Sequence, residues 1–143
     1  MESEHKPVGK PIVIAIDESV TYRDLLRQVF TYFLPDYELR LFRDGQALLT
    51  APIDGNRPGL VVLGASAQPG AGYELMRLLR QQACWQHVPM VMMGNEEGPD
   101  AVAACYGAGA NSFLIKPLSL EPIRKVFETV CHYWFKVHQH TPV

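Results

Sequence analysis

The sequence predicts an α/β protein built on a doubly wound sheet of five parallel strands with helices on both faces. Three observations carry this expectation. Residues 60–63 and 88–93 are continuous apolar runs without polar alternation, as strands buried on both faces require. Segments with apolar residues at three- and four-residue spacing separate the runs, as crossover helices require. The run at 60–63 stops abruptly at Gly64 and passes into a glycine-rich loop ending at Gly72. In an open parallel sheet the functional crevice lies outside the carboxyl ends of the strands, so this loop stands in the functional position.

Taken in order, residues 1–10 are polar with Pro7 and Gly9, a flexible leader to a single domain over 11–137. The first strand, 12–16, ends at Asp17-Glu18. Ser19 caps a helix whose Leu25, Leu26, Val29, Phe30 and Phe33 form one stripe, and Pro35 stops it. Residues 37–42 alternate as a strand, and Asp44-Gly45 turns the chain into a short helix over 47–51. A surface loop over 54–58 leads into the central strand.

Beyond the glycine loop, 73–82 carries Leu75, Met76, Leu78 and Leu79 among arginines, an amphipathic helix. After the strand at 88–93, Asp100 is expected to cap an alanine-rich helix to Ala108, ended by Gly107 and Gly109. Residues 112–115 form a fifth strand ending at Lys116-Pro117. The last helix has Ser119 as N-cap, Pro122 in its first turn and a stripe of Ile123, Val126, Phe127, Val130, Trp134 and Val137. Residues 138–143 are a tail, and no repeat or domain linker interrupts the chain.

At 143 residues the chain buries roughly two-thirds of its unfolded surface in one core. With 13 basic and 15 acidic residues the net charge is −2, so no global field draws it to nucleic acid or to an anionic membrane. No apolar run approaches the roughly 20 residues of a membrane span, and the polar start lacks a signal core, which predicts a cytoplasmic protein. Cys84, Cys105 and Cys131 are odd in number and lack Cys-x-x-Cys spacing, hence free thiols.

Four groups fall at successive strand ends: Asp17-Glu18, Gly64, Gly94-Asn95 and Lys116-Pro117. The crevice rule brings them together at one end of the sheet. A paired carboxylate facing a lysine there suits a divalent cation beside an anionic group. The set resembles the receiver domain of bacterial two-component response regulators, the family of the chemotaxis protein CheY. The matching motifs are Asp17-Glu18 with Leu25-Leu26, the strand from Pro58, the turn from Pro69 to Leu75, the segment His87-Val-Pro-Met-Val-Met-Met, and Gly109-Ala-Asn-Ser-Phe-Leu-Ile-Lys-Pro. The resemblance covers residues 11 to about 134. It implies a flavodoxin-like strand order of 2-1-3-4-5. The extended aromatic tail is also similar to the single-domain regulators that partner bacterial phytochromes.

The resemblance also marks departures. In that family an aspartate ending the third strand takes a phosphoryl group from a histidine kinase and holds Mg²⁺ together with the acidic pair. Here the position is Gly64, and a slip of one in the loop alignment gives Ala65, which also lacks a carboxylate. The family's hydroxyl residue after the fourth strand corresponds to Gly94. Asp17, Glu18 and Lys116 are retained, and Phe113 matches the aromatic switch position. The expectation is a pseudo-receiver, not an enzyme, acting in signalling by protein–protein contacts without aspartyl phosphorylation. The acidic pair would bind Mg²⁺ weakly, one carboxylate ligand short. Lys116 is expected to form a salt bridge with Asp17 or Glu18 that holds the crevice closed.

The output surface is expected around Tyr106, Phe113 and the terminal aromatics Tyr133, Trp134 and Phe135, with a sensor histidine kinase, a phytochrome-like receptor or a second copy as partner. An alternative is a sensor that binds an anionic small ligand at the loop from Gly64 through Gly70 to Gly72, with Lys116 as counter-charge. A hydrolase reading fails because Ser66 lies in Gly-Ala-Ser-Ala-Gln68, which lacks the second glycine of a nucleophile elbow.

Overall fold

The computed structural model describes residues 9–52, 55, 57–65, 71–95 and 98–139. Expectations for Ser66, Gln68, Pro69 and Gly70, for leader residues 1–8 and for tail residues 140–143 fall outside these described residues.

The apolar runs are strands: β1 (Ile12–Ile16), β2 (Glu38–Phe42), β3 (Leu60–Gly64), β4 (Met90–Gly94) and β5 (Ser112–Ile115). They form one sheet in the order β2-β1-β3-β4-β5 with every neighbouring pair parallel. The order changes direction between β1 and β3, so the crevice of a doubly wound sheet opens beyond their ends. β1 and β4 are buried along their whole length and β3 up to Leu63. The edge strands are half-covered, which is why 37–42 alternates and the inner runs do not.

The period-two alternation of the strands deals their side chains to two cores. On one face α1 (Val20–Phe33) and α5 (Leu120–His132) pack Leu26, Val29, Phe30, Ile123 and Phe127 on Val13, Ala15, Leu60, Val62, Val91 and Met93. On the other, α2 (Gly45–Leu49), α3 (Ala71–Arg80) and α4 (Pro99–Gly107) cover Ile14, Ile16, Val61, Leu63, Met90 and Met92.

Several local expectations are corrected. The Ser19 hydroxyl does accept the Tyr22 N–H at 3.1 Å, but the buried stripe of α1 is Tyr22, Leu26, Val29 and Phe30. Phe33 is exposed and lies beneath the Arg124 guanidinium, 5.0 Å from its ring centroid. α2 begins at Gly45, because Asp44 caps it by accepting the Ala47 N–H at 2.9 Å, and it stops at Leu49. Gly98, not Asp100, is the N-cap of α4: Pro99 opens the helix with its φ already set, leaving Asp100 in the first turn. Leu78 and Val137 point to solvent, beyond the stripe that meets the sheet.

Candidate functional site

The crevice is organised by the residue that follows β1. The Asp17 N–H donates to the Phe42 carbonyl at 3.0 Å and so extends the β1–β2 ladder by one step. Its carbonyl accepts from Arg23 Nη1 at 2.7 Å, and its Oδ1 accepts the Ser19 N–H at 3.0 Å. The backbone is thereby fixed and the carboxylate turned inward, leaving Asp17 only 4% exposed.

Lys116 arrives from the far side of the sheet. Its N–H donates to the Gly94 carbonyl at 2.7 Å, continuing the β4–β5 ladder past Ile115. The Nζ stands 2.7 Å from Asp17 Oδ2 and 4.2 Å from the centroid of the Tyr22 ring. Tyr22 in turn donates its hydroxyl to the Pro117 carbonyl at 2.8 Å, tying α1 to the β5–α5 connection. Burial, and secondarily the charge of Asp17, raise the Tyr22 pKa above its ordinary value, so the hydroxyl keeps its proton and its role as donor.

Asp17 Oδ2 accepts no aligned hydrogen bond among the described residues. Its partner is the Lys116 ammonium, and the two side chains are largely screened from water. Removing one member of such a pair strands a buried charge, at about 3–5 kcal/mol.

Gly64 explains how the carboxylate reaches this position. A Cβ at residue 64 would overlap Asp17 Oδ2 and lie 3.0 Å from its Cγ and 3.3 Å from the Ile16 carbonyl oxygen. The Asp17 carboxylate thus fills the space in which a side chain on the last residue of β3 would begin. Gly94 contributes backbone alone, and Glu18 stands exposed at the rim.

The donor set does not fit a divalent cation. Asp17 Oδ2 faces an ammonium, Gly64 offers no side-chain oxygen, and no group of three or more His, Cys, Asp or Glu among the described residues could hold a metal. The Lys116 ammonium is already engaged by the Asp17 carboxylate, so the anionic-ligand reading finds no support in its position.

The remaining sequence candidates separate. Tyr106 and Phe113 come together: the Phe113 N–H donates to the Tyr106 hydroxyl at 3.1 Å, so α4 is tied to β5. The three tail aromatics do not form one surface. Trp134, expected at an interface, is instead interior at 6% exposure, packed with the α1 and α5 core from the π turn that follows α5. Phe135 is half-buried, packed on Tyr37 with ring centroids 5.1 Å apart at the opposite end of the sheet. A π turn over Tyr133–Val137, closed by the His138 N–H to the Tyr133 carbonyl at 2.7 Å, rotates Phe135 back onto the domain and leaves Tyr133 outside.

Tyr22 was missed by the sequence reading. The signal was its helical spacing to Leu26 and Val29, which places it on the inner face of α1 directly after Asp17.

The profile of the response regulator receiver domain matches residues 13–128. Among curated relatives, the two-component response regulator ORR3 of rice is 24% identical over 131 residues, covering 91% of this chain and 98% of that protein. The response regulator Rcp1 of Synechocystis is 22% identical over 142 residues, 95% of each chain. Among solved structures, the phosphorylated cyanobacterial phytochrome response regulator RcpA superposes with a TM-score of 0.78 at 14% identity, over 94% of this chain and 100% of that one. No helix of the described residues is long and apolar enough to cross a membrane. The sheet order, the strand-end constellation and the match across most of the sequence make this chain a member of the response regulator receiver family of two-component signalling.

Proposed function

We propose that this receiver signals through protein contacts without forming an aspartyl phosphate. The observation that carries the reading is the Asp17 carboxylate folded over Gly64 and held against Lys116. In the family that the sequence resembles, the residue at the end of β3 is the phosphoacceptor. Here it is a glycine, and the retained Lys116 is neutralised from within by the Asp17 carboxylate. The hydroxyl position is Gly94, which supplies no side-chain donor.

The surface offered to partners lies at the free edge of β5 and the segment after it. Tyr106, Ile115 and Leu118 are exposed apolar side chains there, with Tyr133 on the terminal turn as a separate candidate. A sensor histidine kinase, a phytochrome-like receptor or a second copy of the chain is the fitting class of partner. Both Rcp1 and RcpA are response regulators, and RcpA is named for a phytochrome.

The test is intact mass and melting temperature with acetyl phosphate or beryllofluoride, each with Mg²⁺. The expected result is no added phosphoryl mass and no shift. A saturable, Mg²⁺-dependent shift overturns the reading. Gly64→Asp serves as the positive control: it is expected to gain phosphoryl mass once Mg²⁺ neutralises its carboxylate against Asp17.

A further inference from the structure

The helical cover of the sheet is shortest at α2. That helix has only five residues, one turn and a little more, and the chain leaves it through Pro52 towards β3. Between α2 and the 3₁₀ turn at Ala83–Trp85 a cavity of about 380 Å³ descends to Ile14 in the middle of β1. Its size falls within the range of small-molecule sites, about 300–1,000 Å³. Phe42 and Leu48 line it from the β2–α2 side and Trp85 from the other.

Among the described lining residues the charged side chains are both basic. Arg40 and Arg57 both border it, and Glu38 pairs with Arg40 Nε at 2.6 Å. Arg57 borders the cavity, is exposed and makes no ion pair among the described residues, so a guanidinium without a described counter-charge stands beside a mostly apolar cavity. Apolar walls favour a hydrocarbon or aromatic body, and Trp85 and Phe42 offer ring faces and edges to one. A guanidinium favours a carboxylate, which it can grip in two parallel hydrogen bonds.

We propose that this cavity binds a small amphipathic monocarboxylate, its apolar body against Ile14, Phe42, Leu48 and Trp85 and its carboxylate on Arg57. The site is separate from the Asp17–Lys116 crevice and does not depend on the proposal made for it. It would give the receiver a ligand input on the α2 side, reaching the same strand, β1, that leads into Asp17.

The structure supplies its own reporter. Cys84 borders the cavity and is exposed, whereas Cys105 and Cys131 are buried, so alkylation of the native protein reads this place. The fluorescent anion anilinonaphthalene sulfonate is titrated into the full chain, with decanoate and decanol as competitors. Decanoate is expected to displace the probe with single-site saturation, to slow Cys84 alkylation, and to bind about tenfold more tightly than decanol. Arg57→Glu is expected to abolish that preference. Ala51→Trp, which fills the cavity from a half-exposed position, is expected to weaken both competitors by about tenfold or more at an unchanged melting temperature. Should that variant not fold, Cys84→Trp fills the cavity from the opposite side and is read by probe displacement alone. Absence of saturable displacement, equal binding of decanoate and decanol, or binding indifferent to the filling substitution overturns the proposal.

Discussion

On the face covered by α1 and α5, helices of 14 and 13 residues lie across the central strands, and Phe30 meets Phe127 edge-on with centroids 5.8 Å apart. On the opposite face α2 has five residues, Met76, Met90 and Met92 pack among Ile14, Ile16, Val61 and Leu63, and a cavity reaches the sheet. The first face interlocks rigid aromatic and branched side chains and continues through Tyr22 into the Asp17–Lys116 pair. The second mixes branched side chains with flexible thioethers that adapt to their surroundings. The difference teaches where each property is stored: geometric precision for the crevice comes from the α1/α5 face, and room for change lies on the α2 side.

Substitutions can break that contrast. Phe127 is fully buried, and Phe127→Ala is expected to cost about 3–5 kcal/mol, whereas Met92→Leu on the softer face should cost less than about 1.5 kcal/mol. Urea denaturation measures both, and equal costs would erase the distinction. Lys116→Met leaves the buried Asp17 carboxylate without its counter-charge and is expected to lose about 3–5 kcal/mol. Adding Asp17→Leu to it should recover most of the loss. If the double variant is no more stable than the single one, the pair is not what holds this end together.

A smaller effect is expected at Gly64. Gly64→Ala forces the Asp17 carboxylate aside and should cost about 1–3 kcal/mol, the ordinary penalty of overpacking. An unchanged melting temperature would mean that Asp17 moves freely, against the closed crevice. The smallest effect concerns pH. Burial pushes the Cys131 thiol from an ordinary 9.0 up to about 12, so above pH 9 the unfolded chain loses a proton that the folded chain keeps. The unfolded state then binds fewer protons, and stability falls as pH rises from about 9 towards 12. Cys131→Ala should flatten that slope relative to the unaltered chain in paired melts at pH 8 and pH 10.5, provided its own packing loss is subtracted at the lower pH.

Much of the fold was legible because it rests on local pattern. Unbroken apolar runs require strands covered on both sides, helical stripes require crossovers, and the placing of Asp17, Gly64, Gly94 and Lys116 at strand ends follows from where those runs stop. Lys116 was open to either carboxylate of the acidic pair, and the structure chooses Asp17. Its backbone is pinned by Phe42 and Arg23, its Oδ1 by the Ser19 N–H, and the missing Cβ of Gly64 leaves space for that side chain.

Other features depend on contacts between residues distant in sequence, and only the assembled chain decides them. Trp134 and Phe135 are adjacent in a helical tail, and it is the π turn and the distant Tyr37 ring that turn Phe135 onto the domain. Arg80 reads as one more charge on an amphipathic helix, yet burial lowers its pKa, and its guanidinium donates to the carbonyls of Trp85, Gln86, Val88 and Gly109 and to Asn111 Oδ1. It acts as a staple between two loops and the start of β4. The strands, the helices, the parallel sheet and the end at which its polar groups collect are written in local pattern, because periodicity and strand ends are local properties. Which carboxylate meets the lysine, which aromatics stay outside and where a cavity remains were decided by tertiary structure, because each depends on the volume that residues far apart in the chain leave one another.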